Sequence, residues 1–451
     1  MVEKCSKFSP IVKARSEIWR EDELARDSMQ SSLDVSPHAQ HPSHRSHSEG
    51  ELGDTAGRVV VGNERGPPVT INELVQLSHI GIPRDQVTWA RVTLTSDKWI
   101  SVRHDNHDDL SSRRATVTVL SPKEGTISYA GQTSADSVYM NPTQPIIALK
   151  AGFRFEAFNL DTKLLIGRTH LHEPVSYWTW LNSDIIAIVT DTAVFHWDLW
   201  QGDSPPERVF LRHHRLAFSE IVSYKADPSL KWLAITGLIP EDDRISGVTQ
   251  LYSVEEDITQ CISSHAVCFS TYNFADNPQP STVLCVASRE SQDHGKVHVI
   301  ELGPYRAGNY APRNCYDHIQ FLDDTERYDF PISVQVSTEY GLLFVVTKYG
   351  YLYLCDMETG MCLCCTRISA DVIFTSTLNT DTQGILGVTR AGQLVLPNVL
   401  LSFALHKSDV FLTRVSQVIT VDLKKDGFIS YLRETTRKSC SANRLEKAIC
   451  Q

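Results

Sequence analysis

The chain has 451 residues, of which 41% are hydrophobic and 22% are charged, a composition ordinary for a protein that folds around an apolar core. Its formal net charge of −11 argues against a general binder of nucleic acid or anionic membranes, because such surfaces attract clustered lysine and arginine. It has neither a run of about eighteen apolar residues, as a membrane span needs, nor the apolar centre of a signal peptide at its polar N-terminus. We therefore expect a cytosolic protein without direct membrane insertion.

Residues 1–65 form the first segment of the chain. They combine charges and serines with few apolar residues, and we predict a disordered low-complexity tail. Within this tail, histidine recurs at every third position, at His38, His41, His44 and His47. Such a tract could hold a transition metal loosely, but low complexity alone accounts for it, so we predict no metal site there.

From about position 69 the sequence changes to short apolar or alternating runs separated by glycine, asparagine and aspartate, which indicates strands. Four passages share a strand, turn and strand layout that predicts antiparallel hairpins. The hairpins join residues 146–150 to 153–159, 185–190 to 193–198, 343–347 to 351–356, and 385–389 to 393–395. The turns near 152 and 191, and those near 350 and 392, are separated by roughly the 40 to 45 residues of one propeller blade. Since a sandwich or barrel gives no reason for this period, we predict an all-β propeller over residues 66–395.

Residues 396–451 are predicted to be a divergent C-terminal segment. In this segment, residues 410–423 and 428–432 flank a turn-like Lys-Lys-Asp-Gly stretch, which predicts one more hairpin. The end of the chain is predicted to be a solvated basic tail, with a weak nucleic-acid or lipid contact as the less favoured alternative. Its basic residues are Arg433, Arg437, Lys438, Arg444 and Lys447.

The cysteine, histidine and acidic residues of the sequence do not form a recognisable metal or catalytic site. The eleven cysteines are odd in number and irregularly spaced, which favours free buried thiols. The densest clusters, at residues 362–365, 104–109 and 213–214, have no partner set at metal-ligand spacing. The sequence also lacks GxSxG, Walker and HExxH motifs. We therefore expect no metal, no cofactor and no catalysis.

A series of longer strings, in order along the chain, carries a family resemblance. The strings are TSDKWI at 95–100, SADSVYMNP at 134–142, IALKAG at 147–152, VTD at 189–191, HW at 196–197, KW at 231–232, LYSV at 251–254, TKYGY at 347–351 and METG at 357–360. Over residues 70–395 the chain resembles the N-terminal domain of the clathrin heavy chain, which is a seven-bladed propeller that binds short peptides of adaptor and accessory proteins. The resemblance supplies the expected number of blades.

The resemblance also implies a function. It implies docking of adaptor and accessory proteins in vesicle coat assembly, intracellular protein transport and endocytosis, peripheral to coated pits and coated vesicles. No nucleic-acid partner is implied. The helical leg and trimer hub of that family have no counterpart in this sequence, so trimerisation is not expected from it. The alternative is a diverged propeller scaffold that binds other proteins without a coat role.

The main peptide groove of the family aligns with Ile147, Arg154, Glu156, Phe158 and Lys163. Arg154, Glu156 and Phe158 must share one face of their strand, because successive side chains alternate. A charged face on an outer strand is often merely solvated, and only the resemblance favours a groove here.

Three positions in or near this groove depart from the family. Glu156 stands where the family usually has glutamine, Arg154 where it has threonine, and Gly131 near a family arginine. The carboxylate would repel an acidic peptide and Arg154 would restore the lost positive charge, so we expect altered specificity.

A second groove of the family, which takes tryptophan-containing peptides, aligns with Trp89, Glu220 and Val222. Glu220 again replaces a glutamine, and Trp89 replaces the usual phenylalanine while keeping a flat apolar wall. A tryptophan buried within a blade is the alternative interpretation of Trp89.

Overall fold

The computed structural model describes residues 68–105, 115–202, 204–241, 244–306, 313–321, 328–390, 417–434 and 438–450. Within these ranges, 28 strands form seven four-stranded antiparallel sheets, which confirms the predicted seven-bladed propeller. The predicted disordered tail, residues 1–65, lies outside the described residues, as does the predicted strand at 393–395.

The strands follow the chain in blade order after an N-terminal strand, β1 (Val69–Gln76). The first blade contains β2 (Val92–Leu94), β3 (Ile100–Asp105), β4 (Ala115–Ser121) and β5 (Thr126–Thr133). The second contains β6 (Ser137–Met140), β7 (Ile146–Ala151), β8 (Arg154–Asn159) and β9 (Leu165–His170). The third contains β10 (Val175–Trp180), β11 (Ile185–Thr190), β12 (Ala193–Asp198) and β13 (Glu207–Leu211).

The remaining blades continue this order. The fourth contains β14 (Glu220–Ala226), β15 (Trp232–Pro240), β16 (Ile245–Ser253) and β17 (Ile258–Ser263). The fifth contains β18 (Ala266–Tyr272), β19 (Ser281–Arg289), β20 (His294–Gly303) and β21 (Asn314–Gln320), and the sixth β22 (Pro331–Ser337), β23 (Leu342–Thr347), β24 (Tyr351–Asp356) and β25 (Cys362–Arg367). The seventh contains β26 (Val372–Leu378), β27 (Ile385–Arg390), β28 (Gln417–Leu423) and β1. Short 3-10 helices span Leu77–Ile80, Arg84–Gln86 and His214–Leu216, and two α-helices follow β28: α1 (Lys425–Glu434) and α2 (Ser439–Cys450).

The blades close into a ring through their first strands. Each first strand contacts the first strand of the next blade, and β26 contacts β2. The seventh sheet has the order β1-β28-β27-β26, so its outer strand comes from the N-terminal side of the propeller. Val421 pairs with Ile71 on one side and with Ile385 on the other. Distant parts of the chain therefore share one sheet and hold the ring shut.

The seventh blade corrects two predictions. The propeller extends past residue 395, because β28 is one of its strands. The hairpin predicted across residues 410–432 is wrong, because the part after β28 is helix α1 rather than a strand. Phe428, Ile429 and Leu432 are buried at helical spacing, and five residues were too few to separate that period from a strand.

The C-terminal helices pack against the sixth and seventh blades. Phe428, Leu432 and Leu445 share a buried cluster with apolar residues of these blades. Ser441 Oγ donates to Asp356 Oδ2 at 2.5 Å, and Arg444 also pairs with this carboxylate.

The predicted solvated tail is therefore wrong for two of its basic residues. Arg444 binds Asp356, and Lys438 donates to the carbonyl of Cys362. Arg433 and Lys447 are exposed, as predicted, and Arg433 pairs with Glu446 at 2.5 Å. Arg437 lies outside the described residues.

Two buried titratable groups of the propeller interior make folding sensitive to pH. His265 is 3% exposed, and its Nε2 donates to the carbonyl of Ile245 at 2.8 Å while its Nδ1 accepts the Arg289 N–H at 3.1 Å. Burial lowers the pKa of His265 to about 4. Burial also raises the pKa of Asp329 to about 6. Asp329 therefore changes the pH dependence of the stability with the opposite sign to His265.

We expect His265→Gln to change the pH dependence of the free energy of unfolding. Between pH 6.5 and 4 the histidine is protonated in the unfolded state but stays neutral in the folded state. His265 therefore contributes stability above pH 6.5, and this contribution is lost as the pH falls through 4. This loss is about 3 kcal/mol and should be missing from the variant. Urea unfolding of both forms from pH 7.5 to 4 measures it. Asp329→Asn should change the slope with the opposite sign, and a constant difference between wild type and His265→Gln across this range would contradict the assignment.

Candidate peptide-binding groove

An open groove lies between the first and second blades. Its volume is about 460 Å³, and most of its wall comes from β4, β5, β7 and β8. The lining residues are Val117, Tyr129, Gly131, Gln132, Thr133, Ile147, Leu149, Phe158, Asn159, Leu160 and Lys163. Three of the five residues predicted for the main groove therefore meet in one cavity.

The second blade supplies the apolar wall of the groove. Ile147 of β7 pairs with Phe158 of β8, and Phe158 pairs with Leu165 of β9, so these side chains share one face of the sheet. Ile147 is 4% exposed and packs into the cluster between the two blades, whereas Phe158 is half-buried. Phe158 is the wider apolar surface that a ligand can reach.

The first blade supplies a wall without charge. Strand β5 reads TISYAGQT, and Tyr129 on it is 36% exposed. A Cβ at Gly131 would lie 2.3 Å from the hydroxyl oxygen of Tyr129, so any larger residue there would displace this side chain. Gly131 and the Tyr129 hydroxyl thus occupy the place near which the family has an arginine, and this wall offers no positive charge to an acidic ligand.

Lys163 provides the positive charge that lines the groove. It lies in the turn between β8 and β9 with a φ of 58°, and the Asn159 side chain organises this turn by accepting the N–H groups of Asp161 and Thr162 at 2.9 Å each. Among the described residues, the Lys163 ammonium has neither a hydrogen bond nor an ion pair. It is therefore available to an anionic group of a ligand.

Arg154 and Glu156 lie on the same strand face but do not line the cavity. Their alternation with the fully buried Phe155 and Ala157 confirms the predicted facing. Arg154 Nη2 and Glu156 Oε1 form an ion pair at 2.5 Å. The carboxylate that was expected to repel acidic peptides is therefore already paired with Arg154.

The ion pair sets the expected effect of Glu156→Gln. Because Arg154 already compensates the carboxylate, we expect the variant to bind an acidic leucine-rich peptide less than about twofold tighter at low salt. Titrations of wild type and variant at low and high salt measure this. A gain of tenfold at low salt would show that Glu156 faces the ligand as an uncompensated charge.

The second predicted groove is not assembled as one surface. Trp89 and Val222 both line a cavity of about 280 Å³ on the propeller axis. Glu220 is 3% exposed and does not line that cavity. Burial lowers the pKa of the Arg212 guanidinium, and the nearby negative charges of Asp191 and Glu220 partly oppose this shift. The place of Glu220 in the interior was not visible in the sequence, because alternation does not tell which polar residues are buried.

Metal-ligand clusters and cysteines are the other features that the sequence offered for chemistry. The described part of the chain contains no group of three or more His, Cys, Asp or Glu side chains placed to hold a metal ion. Nine of its cysteines are free thiols, as predicted, but Cys440 is exposed rather than buried. Residues 106–109 and the histidine tract lie outside it. A search of the same part for helices long and apolar enough to cross a membrane finds none.

Several lining residues were missed by sequence reasoning, namely Val117, Tyr129, Gln132, Thr133, Leu149, Asn159 and Leu160. Leu149 could have been found, since it lies two positions after Ile147 on the same strand and so on the same face. Tyr129 and its neighbours could not, because nothing local indicates which strand of the preceding blade faces β8.

Comparison with known proteins relates the chain to a family. No family model matches the chain. The chain is 36% identical over 329 residues to clathrin heavy chain 2 of Homo sapiens, 36% identical over 328 residues to clathrin heavy chain of Drosophila melanogaster, and 38% identical over 328 residues to probable clathrin heavy chain 1 of Caenorhabditis elegans. Each match covers 73% of this chain and 19% or 20% of the relative, so the chain spans about a fifth of the length of these relatives.

A solved structure was also matched. A chain of the mitotic checkpoint complex has a TM-score of 0.45 and 14% identity, covering 79% of this chain and 96% of that chain, which is too low to support an inference. The sequence matches fall in the N-terminal region of the clathrin heavy chains and agree with the seven blades of this structure. The propeller of this chain is therefore a relative of the N-terminal region of clathrin heavy chains.

Proposed function

We propose that the chain is a peptide-docking module of vesicle coats. In this proposal an extended, leucine-rich acidic segment of an adaptor or accessory protein binds in the groove between the first two blades. The observation that carries the proposal is the meeting of Ile147, Phe158 and Lys163 in one open groove, where Lys163 has no partner among the described residues. The names of the relatives supply the coat context.

The chemistry of the groove suits such a segment. Leucine side chains would lie against Phe158 and Tyr129, whose exposed apolar surface would be removed from water. A carboxylate next to the leucines would reach the ammonium of Lys163 and form a charge-assisted contact. Binding then needs no chemical step, and we propose that the module has no catalytic activity. Its proposed setting is the cytoplasmic face of coated pits and coated vesicles.

One alternative is favoured by specific observations. Gly131 leaves the wall of the first blade uncharged, and Glu156 forms an ion pair with Arg154. A diverged propeller scaffold that no longer binds acidic peptides would show these features. Titration with a fluorescent leucine-rich acidic peptide separates the two, because only the docking module binds it saturably and loses it when the leucines are replaced by alanine. Equal binding of both peptides, or of neither, would reject the proposed docking.

Lys163→Glu is expected to weaken binding of the acidic peptide about fivefold, because the substitution replaces an attraction by a repulsion at a partly screened site. The affinity should depend less on salt in the variant. Lys231→Glu is a matched control, since Lys231 lies 54% exposed in the fourth blade and undergoes the same charge change. Equal affinities for Lys163→Glu and wild type would mean that the acidic residue of the peptide lies elsewhere.

A further inference from the structure

The face of the second blade that lines the groove continues past Phe158 into a row of basic side chains. Strand pairing sets Glu156 opposite Arg168 and Arg154 opposite His170. Directly paired residues of neighbouring strands project from the same face of a sheet. Arg154, Arg168 and His170 therefore lie on the face that carries Phe158, and all three are exposed.

The charge of this row is positive and not fully compensated. Glu156 is its single acidic residue, and it pairs with Arg154. Arg168 has neither an ion pair nor a hydrogen bond among the described residues. His170 makes ring contacts with Phe153 and His172, at centroid distances of 6.4 and 4.7 Å. Strand β5 of the opposite blade carries no charged side chain.

Positive charge therefore lies beyond both ends of the apolar surface formed by Phe158. Lys163 follows Phe158 in the chain, whereas Arg154 precedes it by four residues, about 13 Å along an extended strand. Arg168 and His170 lie on the neighbouring strand beside Glu156 and Arg154. An extended peptide whose leucines cover Phe158 would reach Lys163 with one flank and the basic row with the other.

We propose that the groove selects peptides with an anionic residue on both sides of the leucine-rich core, and that Arg168, with His170 beside it, holds the second anion. This inference rests on the proposed docking function and names the ligand class more narrowly. A guanidinium binds a carboxylate or a phosphate with two parallel hydrogen bonds, so an acidic residue and a phosphorylated residue share the required chemistry. Arg168 is a specificity residue, because the leucine core does not need it.

Four synthetic peptides test the proposal with the full chain. All four share the leucine core and, on one flank, the acidic residue expected to contact Lys163. Three of them carry serine, aspartate or phosphoserine on the other flank, about four residues from the core. The fourth carries the aspartate at a scrambled position of that flank. Wild type should bind the aspartate peptide about threefold to fivefold tighter than the serine peptide, as expected for an exposed charge contact. The phosphoserine peptide distinguishes the source of the anion, since a clearly larger gain indicates a phosphorylated partner and an equal gain an acidic one.

Arg168→Ala should remove most of this gain and leave the affinity for the serine peptide unchanged. Arg208→Ala is the matched control, because Arg208 is an exposed arginine on the outer strand of the third blade. A gain that survives Arg168→Ala, or no gain in wild type, overturns the proposal while the serine peptide still binds. A failure of all four peptides to bind overturns the proposed docking function and this extension with it.

Discussion

Phe428→Ala is expected to lower the free energy of unfolding by about 3 to 5 kcal/mol, as large-to-small changes in packed cores do. Phe428 is fully buried and lies in helix α1. It belongs to a cluster that also contains Leu354 of the sixth blade and Val421 of the strand that closes the seventh. The variant would leave a cavity where the helix, the sixth blade and the ring closure meet, so the loss falls on the closure itself.

Chemical denaturation of wild type and Phe428→Ala measures this loss directly. Glu446→Ala is the control in the C-terminal helices, because Glu446 is 48% exposed and its ion pair with Arg433 is expected to contribute less than about 1 kcal/mol. If Phe428→Ala unfolds at the same denaturant concentration as Glu446→Ala, the C-terminal helices are not part of the folded core.

Phe158→Ala is expected to weaken binding of a leucine-rich acidic peptide tenfold or more. The ring is the accessible part of the apolar wall, and buried aromatic anchors dominate the energy of such contacts. A tenfold loss corresponds to about 1.4 kcal/mol. Ile147 beneath it is too deeply buried to replace the lost contact.

The matched control for this substitution is Phe218→Ala. Phe218 lies between the 3-10 helix His214–Leu216 and β14, is 75% exposed and does not line the groove. Isothermal titration of both variants with one peptide, together with their melting temperatures, separates binding from folding. Equal affinities for the two variants would place the peptide outside this groove.

Local sequence patterns predicted the hairpins β7–β8, β11–β12 and β23–β24, because a hairpin needs only neighbouring residues. The fourth predicted hairpin is wrong in its partner strand, because β27 pairs with β26 on one side and with β28 on the other. Gly152 and Gly350 take positive φ values of 59° and 83°, which explains why glycine marks these turns. The strands of these hairpins alternate apolar and polar residues where one face of the sheet is covered by a neighbouring blade. They are apolar throughout where both faces are covered. Ile185–Thr190 illustrates the second pattern, with nearly every side chain buried.

The closure of the ring was beyond local patterns. β28 reads as an ordinary strand, but its partners β1 and β27 come from opposite ends of the described propeller. The pairing of Val69 with Leu423 joins residues that no short-range signal connects. The helix after β28 was missed because its buried residues span too few turns to show a helical period.

The candidate site was predictable to the extent that it lies on one hairpin. Alternation along β8 placed Arg154, Glu156 and Phe158 on one face, and the structure agrees. The contribution of Tyr129 required knowing which blade faces β8. Glu220 was placed in a groove by analogy, and its burial beside Arg212 is a tertiary property.

A crystal structure of the protein with a leucine-rich acidic peptide tests the central claim most directly. The account predicts peptide density between β5 and β8, with leucine side chains against Phe158 and a carboxylate within hydrogen-bonding distance of Lys163. Peptide density elsewhere on the propeller, with the groove between the first two blades empty, would contradict it.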